Sequence, residues 1–437
     1  MAYASQDGLE TVFNAGEKTL TFDWPAIRIG TGEYPQGPTG VTVFHFPKRA
    51  LGAVDVRGGG PGTVNTDYLR LGYTTPELDA VVFSGGSWYG LENTTAVATA
   101  LKDDGVRDGT WVDLALSVGA IIYDFGDRRL NEIYPDKALA QGAYRAARPG
   151  VFPLGAHGAG RFAMTGSLFG CNAHSGQGGA FRQLGPVKIA TFVVVNALGV
   201  VTSRDGRVAA CYGDKGWPTE LRAADLLAGY PQSRKPGWTA ASSAEPGRRN
   251  TTISLVVTNQ KLEPWELQRL AVMVHTSMAR ALQPFATEFD GDVLYAVSTA
   301  EFDGAADSAR LPLVDLGVVA SEMMWDAILS SVPVQPTAAK PSAGATQARS
   351  QWQSLTGDYE FSPFVTVRVT AGDDGVYAQA VGARKAYAIE RDSPVRLVPA
   401  EGGDFLVPGR YPLTLRFSAA QRLVINPGDW QQIGTRK

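Results

Sequence analysis

A threonine at the start of a strongly apolar segment is the residue best placed, by type and position, to act as a nucleophile. GRRNTTISLVVTN (247–259) sets a charged, turn-like stretch directly before β-branched residues, with Asn250 and Thr251 at the junction. A threonine hydroxyl needs a base, and the chain's own α-amino group can supply one if cleavage makes Thr251 the first residue of a fragment. That amine titrates at about 7.7–8.0. On local features alone, an ordinary loop-to-strand junction is still the preferred interpretation.

Two carboxylates follow further along the chain, in EFDGDVLYAVST (288–299). Asp290 and Gly291 together form a strong hairpin-turn signal. Asp292 would stand at the mouth of the next strand, where a carboxylate can assist chemistry. Taken alone, the segment favours the turn, and a functional role for the two acidic residues stays open.

Other candidate motifs lack the spacing that their chemistry requires. SGGSWYGLE (84–92) misses the G-x-S-x-G nucleophile elbow by one residue, so an α/β-hydrolase site is rejected. RGGGPGT (57–63) and GAHGAG (155–160) fit no nucleotide-binding pattern and are interpreted as loops. These patterns predict that the protein uses no cofactor.

The cysteines and histidines give no evidence of a metal centre. Cys171 and Cys211 are too few for a disulfide framework or a zinc cluster. The histidines show no ligand spacing and are each interpreted as structural: His45, His157, His174 and His275. No metal site is predicted.

The elements that must position these residues alternate between strands and helices. Strands with few polar residues, which indicates burial on both faces, are predicted at 40–46, 79–84, 118–125, 188–196, 252–259 and 293–299. Helical periodicity is found at 89–101, at 135–147 with Pro135 in the first turn, at 263–284 and at 317–332. Strands covered by helices predict an α/β architecture.

The composition changes near the end of this region, which predicts a division into two domains. Residues 1–331 form the predicted core. Residues 332–352 are rich in proline, alanine and serine, which indicates a linker. Residues 353–437 alternate polar and apolar residues between turn signals, which predicts a small all-β domain of unknown role.

The composition of the whole chain excludes several classes of protein. A chain of 437 residues that is 44% hydrophobic is typical of a folded protein with a sizeable core. Its 40 basic and 43 acidic residues give a net charge of −3, so no nucleic acid partner is expected. The longest apolar run, 189–201, is too short to cross a bilayer, and the N-terminus lacks the pattern of a signal peptide. We therefore expect no membrane association and a cytoplasmic location.

Several segments together carry a resemblance that no single motif carries. The chain resembles the nylon hydrolases, which are 6-aminohexanoate-oligomer endohydrolases. More broadly, it resembles the L-aminopeptidase/D-esterase and β-aminopeptidase superfamily of self-processing N-terminal-nucleophile hydrolases. The resemblance covers about residues 20–331. It is carried, in this order, by PQGPTGVTVFHFPKRALGAVDVRGGGPGT, FSGGSWYGLE, VGAIIYDFG, IYPDKALAQGAYRAA, GQGGAFRQLG, VVVNALGVV, NTTISLVVTN and FDGDVLYAVST.

The resemblance implies a four-layered αββα sandwich, made as a precursor and cut between Asn250 and Thr251. The α fragment would be 1–250 and the β fragment 251–437, which stay associated because their strands share one sheet. Thr251 matches the nucleophile of the family, and its freed amine would act as the base. Asn196 matches the asparagine that stabilises the oxyanion, although by itself it would be interpreted as a turn residue that ends a buried strand.

The resemblance also assigns roles to other positions. Asp290 and Asp292 match carboxylates that orient the amine and hydroxyl of the nucleophile. Tyr123 matches a tyrosine at the substrate pocket. Ser167 stands where nylon hydrolases carry a catalytic lysine, which implies weaker activity or a different source of the cation. The C-terminal β domain is generally absent from these hydrolases.

The implied activity is hydrolysis of linear nylon-type oligoamides through an acyl-enzyme intermediate. An aminopeptidase that acts on β-amino or D-amino termini is the alternative among hydrolases. A precursor that never matures and serves as a binding protein is the alternative outside them. The expected partner is a small or oligomeric amide substrate, and the relatives suggest a homotetramer.

Overall fold

The computed structural model describes residues 6, 8–70, 72–74, 76–211, 220–231, 250–303, 309–337, 339–342, 349–409, 411–418 and 421–437. Residues 232–249, which include the charged stretch directly before Asn250, lie outside these residues. None of the described helices has both the length and the apolarity to span a membrane. They are α1 (Glu92–Asp103), α2 (Lys137–Arg145), α3 (Ala223–Leu227), α4 (Pro264–Ser277), α5 (Leu313–Ser330) and α6 (Arg349–Leu355).

The helix ends follow local capping chemistry. The Asp136 side chain accepts a hydrogen bond from the Leu139 N–H at 3.0 Å and caps α2. The prediction that Pro135 lies in the first turn was therefore wrong, because the cap comes after the proline. Helix α4 begins with a capping box formed by Glu263 and Glu266, with proline at its first position.

The strands before the C-terminal region pair mainly into one large sheet, which contains eleven of the described strands. Three further pairs, β2 with β9, β10 with β11 and β14 with β16, are separate two-stranded ladders. The strands are β1 (Val12–Phe13), β2 (Thr19–Thr21), β3 (Arg28–Tyr34), β4 (Thr39–Val56), β5 (Thr63–Val64), β6 (Glu77–Ser84), β7 (Ser117–Ile121), β8 (Arg148–Pro149), β9 (Val151–Pro153), β10 (Met164–Thr165), β11 (Ala173–His174), β12 (Gln177–Leu184), β13 (Val187–Asn196), β14 (Val200–Val201), β15 (Thr251–Gln260), β16 (Leu282–Gln283) and β17 (Val293–Phe302).

The long strand β4 connects the two halves of the large sheet, because it pairs with strands of both. Its first part pairs with β3 and β6, its last part pairs with β17, and the register shifts between His45 and Ala50. Phe44 on β4 lies 4.9 Å, between ring centroids, from Phe192 on β13, although β4 and β13 are not neighbours in the sheet. The two halves of the sheet therefore face each other across an aromatic and aliphatic core.

Helices cover the outer faces of both halves. Helices α4 and α5 pack on the half that contains β12, β13 and β17, and α1 and α2 pack on the half that contains β3, β6 and β7. The predicted α/β class is confirmed. The hairpin predicted at Asp290 and Gly291 was wrong, because β17 pairs with β15 and β4, and Asp290 instead forms a parallel bridge with Asn250.

The C-terminal region forms a closed barrel. Eight of the described strands pair in sequence, and the first, β18, also pairs with the last, β25. Alternate residues of β19 point inwards, including the buried Val365, Val367 and Val369. The strands are β18 (Gly357–Ser362), β19 (Val365–Ala371), β20 (Val376–Ala380), β21 (Val395–Pro399), β22 (Phe405–Val407), β23 (Leu413–Ser418), β24 (Arg422–Ile425) and β25 (Gln432–Arg436).

The segment predicted as a linker, 332–352, contacts both regions where it is described. The Gln335 side chain accepts a hydrogen bond from the His174 N–H and donates one to the His174 carbonyl, both at 2.9 Å. The Ser342 N–H donates to the Pro399 carbonyl of the barrel at 3.0 Å. Helix α6 begins within the predicted linker.

Candidate active site

The register of the large sheet places Asn196 and Thr251 side by side. β13 ends at Asn196 and β15 begins at Thr251, and the two residues are directly opposed in an antiparallel pair. Side chains of opposed residues share one face of a sheet, with Cβ atoms about 4.5–5.5 Å apart. Every residue of β15 is buried between its two neighbouring strands, so the position of its first residue is firmly fixed.

The carbonyl before Thr251 accepts two hydrogen bonds in the continuous chain. Thr251 Oγ1 donates to the Asn250 carbonyl oxygen at 2.6 Å, and the Gly291 N–H donates to the same oxygen at 2.8 Å. A Cβ at position 291 would lie 2.7 Å from Thr251 Oγ1, so glycine allows this approach. A carbonyl with donors already in place is prepared to carry the negative charge of a tetrahedral intermediate.

Arg128 is a cation at this site that no sequence motif predicted. Its Nη1 donates to Asn196 Oδ1 and its Nη2 donates to Asn250 Oδ1, each at 2.6 Å. It lies on the loop after β7, with its guanidinium 5.7 Å from the ring centroid of Tyr123. Burial lowers the pKa of Arg128, but an arginine keeps its charge at neutral pH. The sequence feature that could have identified Arg128 is a basic residue five positions after Tyr123, on the same loop that follows a strand.

These contacts fix the orientation of the Asn196 amide. Its Oδ1 accepts from Arg128 and also from the Met164 N–H at 3.1 Å. Its Nδ2 donates to the Tyr123 carbonyl at 3.3 Å. Because an amide nitrogen carries two hydrogens, one N–H is left over among the hydrogen bonds of the described residues. The oxygen side of the amide is thus anchored, and the nitrogen side is free to serve the reaction.

Ser167 lies at the site through its contact with the residue before Thr251. Asn250 Nδ2 donates to Ser167 Oγ at 3.4 Å. Together with the bond from Arg128, this contact places the Asn250 side chain between a cation and a hydroxyl. The Ser167 loop therefore faces a region to which Arg128 brings a positive charge.

Asp290 and Asp292 lie beside Thr251 and bind backbone amides. Asp292 Oδ1 accepts from the Thr252 N–H at 2.6 Å, and Asp290 Oδ1 accepts from the Leu198 N–H at 3.3 Å. Burial raises the pKa of the Asp290 carboxyl, and burial together with the Asp290 charge raises the pKa of Asp292 well above its ordinary value. The pair can therefore exchange a proton nearer to neutral pH than exposed aspartates can.

The glycine-rich loop at 57–63 supports this acidic pair. The Gly58 N–H donates to the Asp292 carbonyl at 3.2 Å, and the Gly60 N–H donates to the Asp290 carbonyl at 2.9 Å. A Cβ at Gly58 would lie 2.2 Å from the Asp292 nitrogen, so the close approach requires glycine.

Tyr123 contacts the site through its backbone and its ring. The hydroxyl donates to Asp127 Oδ1 at 2.6 Å, and the side chain is half-buried. Burial, followed by this hydrogen bond, raises the pKa of Tyr123 to about 12, so the phenol stays protonated at neutral pH. The side chain can line the site and form hydrogen bonds, but it cannot act as a base.

The two cysteines are bonded to each other, although two cysteines were too few to predict a disulfide framework. The disulfide joins Cys171, just after the Ser167 loop, to Cys211. Within the described part of the chain, no group of three His, Cys, Asp or Glu side chains is arranged to hold a metal ion.

Replacing Arg128 by methionine is expected to slow both self-cleavage and substrate turnover. A hydrogen bond to a charged group contributes about 1.5–3 kcal/mol, so the rates should fall by roughly ten- to hundredfold. Arg128→Lys keeps the charge but loses the two-pronged geometry, so its rates should lie between those of the wild type and Arg128→Met. Time courses of cleavage and kcat for both variants, with Arg70→Met as a surface control, measure this. Wild-type rates in Arg128→Met would show that the guanidinium is only a packing group.

Comparison with known proteins identifies the class to which this fold and site belong. The model of peptidase family S58 matches residues 20–347, and the chain belongs to that family. The predicted resemblance is confirmed, and the protein is a hydrolase.

The relatives include nylon-oligomer hydrolases. The chain is 39% identical over 333 residues to the 6-aminohexanoate-oligomer endohydrolase of Paenarthrobacter ureafaciens, which covers 74% of this chain and 88% of that protein. It is 32% identical over 319 residues to an uncharacterized aminopeptidase of Mycobacterium leprae (strain TN), which covers 67% of this chain and 82% of that protein. The solved structure of a Burkholderia sp. β-aminopeptidase gives a TM-score of 0.48 at 18% identity, over 72% of this chain and 88% of that chain.

Proposed function

We propose that the protein is a self-processing N-terminal-threonine amidohydrolase that cleaves linear oligoamides. The observation that carries the proposal is the Thr251 hydroxyl, which donates to the carbonyl oxygen of the preceding peptide bond while the Gly291 N–H donates to the same atom. A hydroxyl beside a carbonyl that already has a second donor is suited to attack that carbonyl.

Self-cleavage converts the peptide bond before Thr251 into an ester and then into two chain ends. Thr251 Oγ attacks the Asn250 carbonyl carbon, and the Gly291 N–H stabilises the oxyanion. The C–N bond breaks, the Thr251 nitrogen takes the hydroxyl proton, and Asn250 is left as an ester on Thr251 Oγ. Water hydrolyses this ester, which releases a carboxylate on Asn250 and restores the hydroxyl beside a free amine.

The mature reaction uses the same groups on an external amide. The amine of Thr251 takes the hydroxyl proton as Oγ attacks the substrate carbonyl, and the remaining N–H of Asn196 donates to the oxyanion. The amine then returns the proton to the leaving nitrogen, and water hydrolyses the acyl-enzyme. Asp290 and Asp292 hold the surrounding backbone and keep the amine in position.

Linear oligoamides of the nylon type are the favoured substrates because the more similar relatives bear that activity in their names. Cleavage at β-amino or D-amino termini is the second candidate, since the mycobacterial relatives are named as aminopeptidases. Turnover of an oligoamide blocked at its amino end separates the two. Hydrolysis of the blocked chain supports the endohydrolase, and hydrolysis of only the free-amine chain supports the aminopeptidase.

The proposal includes the wider architecture. The two facing halves of the sheet, with helices on their outer faces, support a four-layered αββα core over 1–331. The mature protein would consist of an α fragment, 1–250, and a β fragment, 251–437, whose strands β13 and β15 remain paired. The cytoplasmic location expected from the sequence and the homotetramer suggested by the resemblance both stay predictions.

A further inference from the structure

A cavity of about 600 Å³ lies between the core and the C-terminal barrel. That volume is within the range of about 300–1,000 Å³ found for small-molecule sites. The core contributes one wall and the barrel the other, and the walls include Arg128, Met164, His174, Tyr387, Tyr411 and Trp430. The family match ends at residue 347, before the first barrel strand begins at Gly357.

The barrel is attached to the loop that carries Arg128. The fully buried Gln432 accepts a hydrogen bond from the Leu130 N–H at 2.8 Å and donates one to the Gly37 carbonyl at 3.3 Å. The Tyr387 hydroxyl donates to the Arg128 carbonyl at 2.9 Å. The barrel therefore holds the backbone on both sides of Arg129, in the same loop that supplies the active-site cation.

A stacked pair of rings forms a second contact between the barrel and the core. Trp430 and His174 lie face to face, with ring centroids 3.9 Å apart. Burial, and then the nearby Arg128 charge, lowers the pKa of His174 to about 3, so this ring is neutral at physiological pH. The core and the barrel are therefore packed against each other at this wall of the cavity.

The uncut chain marks which part of a substrate would face the cavity. Asn250 occupies the acyl side of the bond to be cut, and its side chain accepts a hydrogen bond from Arg128. Arg128 also lines the cavity. The acyl portion of an external substrate must replace Asn250, so it would lie beside Arg128, the residue that the site and the cavity share.

The cavity walls suit an uncharged chain of methylenes and amides. Its lining includes aromatic and apolar side chains together with short polar ones such as Asn172, Thr414 and Asn426. The barrel charges at the cavity are paired with each other: Lys385 with Glu390 at 2.8 Å, and Arg416 with Asp404 at 2.9 Å. Apolar surface for the methylenes, with hydrogen-bonding groups for the amides, is the pattern expected for a polyamide.

We propose that the C-terminal barrel is a substrate-binding domain, and that the cavity is the acyl-side subsite for the uncharged chain of a linear oligoamide. This inference rests on the proposed amidohydrolase activity. In this proposal, the barrel selects long substrates over short ones, and the groups that break the amide bond lie in the core.

The test fills the cavity without touching the catalytic groups. Ala388 is exposed in a barrel turn and lines the cavity, so Ala388→Trp should obstruct it. Ala383→Trp, on an exposed barrel residue outside the cavity lining, is the matched control. Thr337→Trp obstructs the cavity from the adjoining segment 332–337 and serves as a second variant if the first does not fold.

We expect Ala388→Trp to raise KM by about tenfold or more for a 6-aminohexanoate oligomer with several units on the acyl side. KM for a substrate with a single acyl unit should stay within about twofold of wild type, because that unit ends near Arg128. Ala383→Trp should match the wild type on both substrates. Unchanged kinetics in both cavity variants, or an equal loss on short and long substrates, would overturn the subsite while leaving the amidohydrolase in place.

A binding measurement separates failure of the subsite from failure of the proposed activity. If the wild type hydrolyses neither substrate, the proposed function is contradicted. Calorimetric titration with the long oligomer then tests whether the cavity binds it, independently of any activity. Binding that Ala388→Trp weakens and Ala383→Trp preserves supports the subsite. Binding that is absent, or equal in all variants, contradicts it.

Discussion

Replacing Thr251 by alanine is expected to leave a folded, full-length chain with no hydrolase activity. The substitution removes the hydroxyl that donates to the Asn250 carbonyl, so neither the ester of self-cleavage nor the acyl-enzyme can form. The fold should survive because the buried strand β15 keeps its backbone pairing with β13 and β17. Denaturing gels, thermal unfolding and turnover of an oligoamide measure the three outcomes.

Thr252 offers a matched control for this experiment. Its side chain lies on the opposite face of β15 from that of Thr251, and its N–H binds Asp292 through the backbone, a contact that the substitution keeps. Thr252→Ala should therefore be cut and active. Normal cutting in Thr251→Ala would remove the nucleophile assignment, whereas loss of folding in both variants would point to packing in β15.

Replacing Asn196 by alanine is expected to lower turnover by about a hundredfold or more, the usual effect of losing an oxyanion donor. The amide is held by Arg128 and Met164 at its oxygen, so the remaining N–H is presented to the site without reorganisation. Asn196→Asp separates this role from packing because it keeps the shape and the acceptor oxygen while removing both N–H donors. We expect its kcat to fall as well; because the new carboxylate faces the Tyr123 carbonyl and also pairs with Arg128, thermal unfolding is measured alongside to confirm that the variant is folded.

Asn259, near the other end of the β13–β15 pair, provides a structural control. Its side chain accepts from the Lys188 N–H at 2.7 Å and donates to the Pro186 carbonyl at 2.9 Å. Asn259→Ala should reduce stability without a specific loss of kcat. Wild-type turnover in Asn196→Asp would return Asn196 to the role of a strand-end residue.

The sequence predicted the α/β class because strand and helix patterns are local. Runs such as 252–259 and 293–299 fall within β15 and β17, and the buried face of α4 follows the predicted helical spacing. The pairing of those strands is not local. The chain does turn before Asp290, whose N–H donates to the Thr287 carbonyl at 3.1 Å, but nothing in the segment distinguishes a hairpin from a parallel bridge to Asn250.

The site was predictable to the extent that its residues end or begin strands. Thr251 and Asn196 were singled out as candidates by strand position together with family resemblance, and their roles stay predictions. Arg128 was not, because its two partners lie 68 and 122 residues away in the sequence and an arginine on a loop is ordinarily a solvated charge. The bond between Cys171 and Cys211, and the closure of the barrel by β18 and β25, depend on long-range contacts in the same way.

Intact-mass spectrometry of the purified wild-type protein, taken from a preparation that hydrolyses oligoamides, tests the central claim most directly. We predict two polypeptides, one ending at Asn250 and one beginning at Thr251, that together account for the 437 residues of the chain. A single uncut chain in a fully active preparation would contradict the account, because no free threonine amine would then exist to serve as the base.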